Sequence, residues 1–372
     1  MDTDPRIWLT RPQTDEAELD EIREVLASGT LTQGPKVAQL EAMVAELVGV
    51  PHAFATTSAT TALHLSLVAL GVGPGDEVLV PDFTFPATAN VVVQQNATPV
   101  LVDVRLTDFA IDPDDLERRI TPRAKAIMPV HPFGLPADMR RVGEIGERHG
   151  LAVVEDAACA LGATLDGRQV GAFGIAGCFS FHPRKSITTG EGGMITTADD
   201  ELAQRIGLLR SHGGVREGGR FRFEAAGFNY RMSDILAAVG VAQMRKLATF
   251  LAARRRVAGW YDAALADVAG VRRPVTPESA THTYQSYVVL LEERVDRDGV
   301  IAALRGEGIE TTIGTYALHV EPFFARAYGL QPGERPSSYR AFTGSLALPL
   351  HGGMRKDEVA TVTDALTRAI DA

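Results

Sequence analysis

The chain is poor in the residues that build disulfide frameworks and metal clusters. Its 372 residues include two cysteines, Cys159 and Cys178. Both sit in apolar contexts, and two such cysteines give no disulfide framework. The nine histidines contain no pair at a metal-ligand spacing such as H-x-x-x-H. Basic residues number 37 against 47 acidic ones, a formal net charge of −10. That balance argues against nonspecific nucleic-acid binding, yet leaves room for a local basic cluster facing an anionic substrate. No apolar run approaches the length of a membrane span. The first residues, MDTDPRIWLTRPQ, lack the charged-then-apolar order of a secretory segment. The expectation is a cytoplasmic protein with no membrane or nucleic-acid partner. Internal repeats and low-complexity tracts are absent. GVGPGD (71–76) has the glycines of a dinucleotide loop, but it follows a helix and precedes a strand. That is the reverse of the required order, and it reads as a turn.

What is present is an alternation of helical and strand patterns, typical of an α/β protein. Leu19, Ile22, Val25 and Leu26 recur at helical spacing within 15–28, and Gly29 stops the run. Val37, Leu40, Met43, Val44 and Leu47 repeat the pattern over 36–48. Strands are predicted at 77–80, 99–104 and 124–130, separated by helical segments at 84–95, 113–120 and 137–149. LAVVED, GCFSF and GMITT complete the strand set of a large domain, residues 1–240. A helical stretch at about 235–266 leads away from it. A smaller α+β domain, 241–372, follows, with a strand pattern from 281–293 and a closing helix at 355–370. GRFRFEAAG (219–227) reads as a hairpin or mobile loop.

Two charged groups sit where an α/β sheet places ligands. Lys185 follows the apolar run Gly177–Phe181 and precedes hydroxyls and glycines that make no stable helix. A lysine desolvated at a strand end favours its neutral amine, a nucleophile toward carbonyls. A snorkelling surface lysine is the plain alternative. Glu155 and Asp156 end the apolar strand LAVVED, and ligands bind beyond the carboxyl ends of such strands. A carboxylate there, paired with a Schiff-base lysine, fits pyridoxal 5'-phosphate, whose pyridine nitrogen needs an anionic partner to stay protonated. The alternative for the acidic pair is a cap on the next helix.

The segments SATTALHLSLVALGVGPGDEVLVPDFTFPATAN (58–90), VHPFGLPADM (130–139), VVEDAACALGA (153–163), FSFHPRKSITTGEGG (179–193) and GFNYRMSDILAAVG (227–240) occur in this order. The chain thereby resembles the DegT/DnrJ/EryC1/StrS family of sugar aminotransferases. The resemblance runs from SGTLTQGPKV (28–37) to LALPLH (346–351). It implies the aspartate-aminotransferase type of fold, pyridoxal-phosphate fold type I, with a mainly parallel sheet in the large domain. It also implies a homodimer with shared active sites.

The resemblance assigns Lys185 as the cofactor-bearing lysine and Asp156 as the partner of the ring nitrogen. Ser58, Ala59, Thr60 and Thr61, at a helix N-terminus suited to anions, and Ser180 are implied phosphate ligands. Phe85 is the implied ring-stacking residue. Asn229 matches a phosphate-binding asparagine supplied by the partner subunit, and Arg231 is an implied contact for a nearby anion. Tyr230, His182 and His319 are implied substrate-side residues. Cys159 departs from the pattern, which has glutamine or histidine there, and as a weak donor it leaves contact with the cofactor's 3-hydroxyl open. The implied reaction transfers an amino group, with glutamate as donor, to a nucleotide-linked keto-deoxysugar. The NYRM reading at 229–232 resembles relatives acting at carbon 4 of the sugar. Amination at carbon 3, an inosose acceptor, or a noncatalytic binding role are the alternatives. Sugar dehydratases among the relatives carry histidine in place of the lysine.

Overall fold

The computed structural model describes residues 7–371. Seven strands form the main sheet: β1 (His52–Thr56), β2 (Glu77–Pro81), β3 (Thr98–Val102), β4 (Ala124–Ile127), β5 (Ala152–Asp156), β6 (Ala176–Ser180) and β7 (Gly193–Thr197). Their order across the sheet is β1-β7-β6-β5-β4-β2-β3. The five strands from β6 to β3 run parallel; at one edge β7 pairs antiparallel with β6, and β1 pairs antiparallel with β7 and so runs with the other five. The parallel strands read as continuous Val, Leu and Ala because both faces are covered. The helix Ala59–Ala69 is apolar nearly all round, with Ala62 to Leu67 buried, as a helix enclosed within a core must be.

Most helix ends carry a local signal. Glu16–Ser28 starts at an Asp15 capping box with Glu18 and stops at Gly29 in the left-handed conformation. Pro35–Val48 has proline in its first turn and stops at left-handed Gly49. These match general capping chemistry. A hairpin is present but begins earlier than the expected 219–227: Gly214–Glu217 pairs with Arg220–Phe223. Its turn uses Gly218 and Gly219, both at positive φ.

The smaller unit is a four-stranded antiparallel sheet, in the order Val271–Arg272, Tyr287–Leu291, Ser345–Leu348, Thr312–Ile313. Its core is shared with the Lys356–Asp371 helix. Ile7 packs in that core too, so the two ends of the described chain meet there. The 31-residue helix Asp234–Ala264 joins the two units. Ala237, Val241, Leu247 and Leu251 serve the large-domain core, while Val257, Ala258 and Tyr261 serve the smaller one. The change of core therefore falls inside the helix, between Leu251 and Val257. This helix is also long and apolar enough to cross a membrane, which the sequence reading overlooked. Its apolar length reflects two successive cores on one rod. Tyr316–Ala317 returns to pair with Phe83–Thr84, tying the small unit back onto the rim of the main sheet.

Candidate active site

The site lies beyond the carboxyl ends of β5 and β6. Alternation along β5 sends its two acidic residues to different tasks. Glu155 is fully buried and accepts from the backbone N–H groups of Gly171, Phe173 and Gly174 at 2.7–2.8 Å. It also accepts from His131 Nε2 at 3.1 Å; the other ring nitrogen, Nδ1, accepts from the Ala137 N–H. Glu155 therefore holds a loop and is spent. Asp156, next along, accepts from Thr88 Oγ1 at 2.8 Å and from the Ala158 N–H at 3.2 Å. Thr88 in turn contacts Thr84 Oγ1 at 3.0 Å. Burial pushes the Asp156 carboxyl above the usual range, against the pull of the Thr88 and Ala158 hydrogen bonds and of the nearby Lys185 amine.

Lys185 sits in the loop after β6, half-buried rather than fully desolvated. Its backbone N–H donates to His182 O at 2.9 Å. Its Nζ donates to Cys159 Sγ at 3.0 Å. Cys159 thus faces the lysine amine, in a turn set by Ala157 N–H to Cys178 O and Ala160 N–H to Ala157 O. Asp156, Cys159 and Lys185 are brought together by two adjacent parallel strands.

Ser58 caps the Ala59–Ala69 helix, accepting from the Thr61 N–H at 3.1 Å, while Thr61 Oγ1 accepts from the Ser58 N–H at 3.0 Å. Among the described residues nothing accepts from the N–H groups of Ala59 and Thr60. Two free donors at a helix N-terminus suit an anion such as phosphate. The strand beside it is shaped to fit: a Cβ on Gly193 would lie 2.4 Å from Ser58 C and O. Gly193 pairs in register with Ser180, so the glycine lets the Ser180 strand end approach the helix. Phe85 is 65% exposed, between Thr84 and Thr88, with its ring 6.5 Å from that of Tyr316. An exposed aromatic held one turn from the Asp156 clamp suits a stacking role. The donor set, the free helix N–H groups and the buried carboxylate all fit pyridoxal phosphate.

The other predicted residues divide. The segment 229–231 lies beside the same helix N-terminus, with Thr57 N–H donating to Tyr230 O at 3.1 Å and Arg231 bridged to Thr56. Asn229 is exposed. Arg231 donates to Ser211 Oγ at 2.9 Å and His212 Nε2 at 3.2 Å, and its buried Nε has no partner. Tyr230 turns away: its ring stacks on Phe228 at 4.8 Å and its hydroxyl lies 3.3 Å from His64 Nδ1. It packs within this subunit. His182 is half-buried, and burial holds its pKa below the usual value; its Nδ1 accepts from the Arg184 N–H at 3.2 Å. His319 is fully buried. Its Nδ1 lies 2.6 Å from Asp82 Oδ2 and its Nε2 lies 3.0 Å from Pro332 O. Both neighbours offer acceptor oxygens, a setting that favours a proton on each ring nitrogen. Burial opposes that charge, but the hydrogen bond and attraction of Asp82 exceed it and raise the pKa. His319 is a staple between the β2 end and the small unit, and presents no free nitrogen to a substrate. Thr88, Arg254 and Gln285 are additions that sequence reasoning missed. Thr88 stood in the quoted FTFPATAN motif; Arg254 and Gln285 carry no local signal.

With this geometry in place, comparison with known proteins is informative. The model of the DegT/DnrJ/EryC1/StrS aminotransferase family matches residues 12–367. A GDP-perosamine synthase of Caulobacter vibrioides is 42% identical over 98% of this chain and 99% of its own. A UDP-N-acetyl-3-dehydro-alpha-D-glucosamine 3-aminotransferase of Acidithiobacillus ferrooxidans is 38% identical over 94% of this chain and 92% of its own. The structure of Spr1654 from Streptococcus pneumoniae, in its PLP form, superposes with a TM-score of 0.94 at 28% identity, covering 98% of each chain.

Proposed function

The chain belongs to the DegT/DnrJ/EryC1/StrS aminotransferase family and is a pyridoxal-phosphate-dependent transaminase, and from that premise we propose that it aminates a nucleotide-linked keto-deoxysugar at carbon 4, with glutamate as donor. The observation that carries the reading is the meeting of Lys185, Asp156 and a helix N-terminus with two free N–H groups at one end of the sheet. Near-full-length similarity to two nucleotide-sugar enzymes supports the acceptor class. The NYRM segment supports carbon 4.

Pyridoxal phosphate, when bound, supplies an electron sink for the carbon that exchanges its proton. Ala59, Thr60 and Ser180 would hold its phosphate, Asp156 its ring nitrogen and Phe85 its ring face. Lys185 Nζ would bind it, and once released would take the proton from the donor's α-carbon. In the second half-reaction the same amine would return a proton to the sugar carbon. Thr88 and the Ala158 N–H keep the Asp156 carboxylate aimed while this happens. Asp156, whose anion burial disfavours in the cofactor-free protein, would be stabilised in that form by a cationic partner. In the cofactor-free protein the Lys185 amine rests against Cys159 Sγ.

The test is a half-reaction screen. The pyridoxamine form is mixed with nucleotide-linked 4-keto-6-deoxysugars, 3-keto sugars and inosose, and the product is assigned by NMR. An amine on carbon 4 is expected. An amine on carbon 3, which the Acidithiobacillus relative favours as the second reading, or turnover of inosose alone would overturn the acceptor while leaving the transaminase.

A further inference from the structure

Arg254 is a buried cation whose partners are all backbone carbonyls. It is 5% exposed, on the Asp234–Ala264 helix in the interval where that rod passes from one core to the other. Its Nη1 donates to Tyr284 O and Gln285 O at 3.2 Å and to Leu350 O at 3.3 Å. Its Nη2 donates to Lys185 O at 3.4 Å. Among the described residues its hydrogen-bond acceptors are carbonyls and no carboxylate, and burial brings its pKa down to about 10. Gln285, whose carbonyl Arg254 holds, donates from Nε2 to Arg184 O at 2.8 Å.

A desolvated charge without a counter-ion is costly, and is retained where its hydrogen bonds do something an apolar side chain cannot. Here those bonds converge on one short segment. The Lys185 peptide is held at its N–H by His182 O and at its C=O by Arg254. The preceding carbonyl, Arg184 O, is held by Gln285. Three of the four Arg254 acceptors belong to the small unit and its approach. The fourth is the lysine that the reading above places on the cofactor.

We propose that Arg254 is a positioning residue for Lys185, fixing the lysine's backbone from the helix that joins the two units so that its amine stays directed toward Cys159. A planar guanidinium suits this work because its donors fan out in fixed directions. The inference rests on the assignment of Lys185.

The test uses the full-length enzyme with Arg254→Gln, Arg254→Lys and Gln285→Leu. In the cofactor-free protein, competitive acetylation by acetic anhydride gives the reactivity of Lys185 relative to exposed Lys356, read by mass spectrometry. Steady-state kinetics with the loaded enzyme give kcat and KM separately. Arg254→Gln is expected to change the Lys185 ratio and to lower kcat by about 10²-fold, the effect of displacing a reacting group by about 1 Å, with KM for the acceptor little changed. Arg254→Lys should recover part of both losses. Gln285→Leu should reproduce both changes in smaller measure. If Arg254→Gln does not fold, the other two variants decide the matter by the same readouts. Folded variants with wild-type kcat and a wild-type Lys185 ratio overturn the proposal. If pyridoxal phosphate does not protect wild-type Lys185 from acetylation, the lysine assignment itself fails.

Discussion

At the scale of single residues, neighbouring side chains of one type take different work. Glu155 and Asp156 are indistinguishable as a sequence pair, and strand alternation separates them. Glu155 meets four donors and is structural. Asp156 meets two and carries the raised pKa. The sign of its pH effect follows. The unfolded carboxyl ionises near 3.8, and the folded one at higher pH. Between these values the folded state holds the extra proton, so stability of the cofactor-free protein falls as pH rises through the interval. Above it the whole penalty is present. Asp156→Asn is therefore expected to leave the cofactor-free enzyme as stable as wild type, or more so, in denaturant titrations at neutral pH. The same variant should lose turnover by roughly 3–4 kcal/mol of barrier, the scale for removing a preorganised electrostatic group. Near-normal turnover would remove Asp156 from the ring nitrogen. His319 is the residue where resemblance and structure part: its motif position suggested substrate contact, and its two acceptors make it a staple.

At the scale of elements, the legible parts were those with local signals. The helices at Glu16–Ser28 and Pro35–Val48 and the strands β2 and β5 fall within a residue or two of their predicted limits, because periodicity and caps are written locally. Strand β1 was not foreseen; HAFAT is short and rich in alanine, and it is a strand because β7 pairs with all five of its residues. Lys185 and Asp156 stood out through their strand-end contexts. Arg254 did not, since its acceptors come from Lys185, Tyr284, Gln285 and Leu350 and only the fold assembles them. The helix N-terminus at Ser58 depends on close backbone approach, which gives a steric test. Gly193 has no positive φ, so Gly193→Ala introduces only a methyl group against Ser58 backbone. Relief of that overlap is expected to cost about 1–3 kcal/mol of stability and to weaken pyridoxal phosphate binding, measured by fluorescence titration, about tenfold or more, which is 1.4 kcal/mol or above. Unchanged cofactor affinity in the variant would place the phosphate elsewhere.

At the scale of the whole molecule, the expected division at residue 240 meets a rod that belongs to both units. A helix spanning two cores couples them, and Arg254 stands at the crossing. Phe85, Asn229 and the hairpin residues Phe221 and Phe223 are each exposed. If Asn229 acts across a dimer, mixing Lys185→Ala with Asn229→Ala protomers should restore part of the activity, because one hybrid site carries both intact residues. Demonstrated subunit exchange without recovery, where Asn229→Ala alone is inactive, would show that each subunit works with its own residues.

The central claim is that Lys185 carries the cofactor, and borohydride reduction followed by peptide mapping tests it most directly. Reduction of the loaded wild-type enzyme should fix pyridoxal phosphate on the peptide containing Lys185, and reduction of Lys185→Ala should fix none. Cofactor trapped on another lysine, or retained in the variant, would contradict the account.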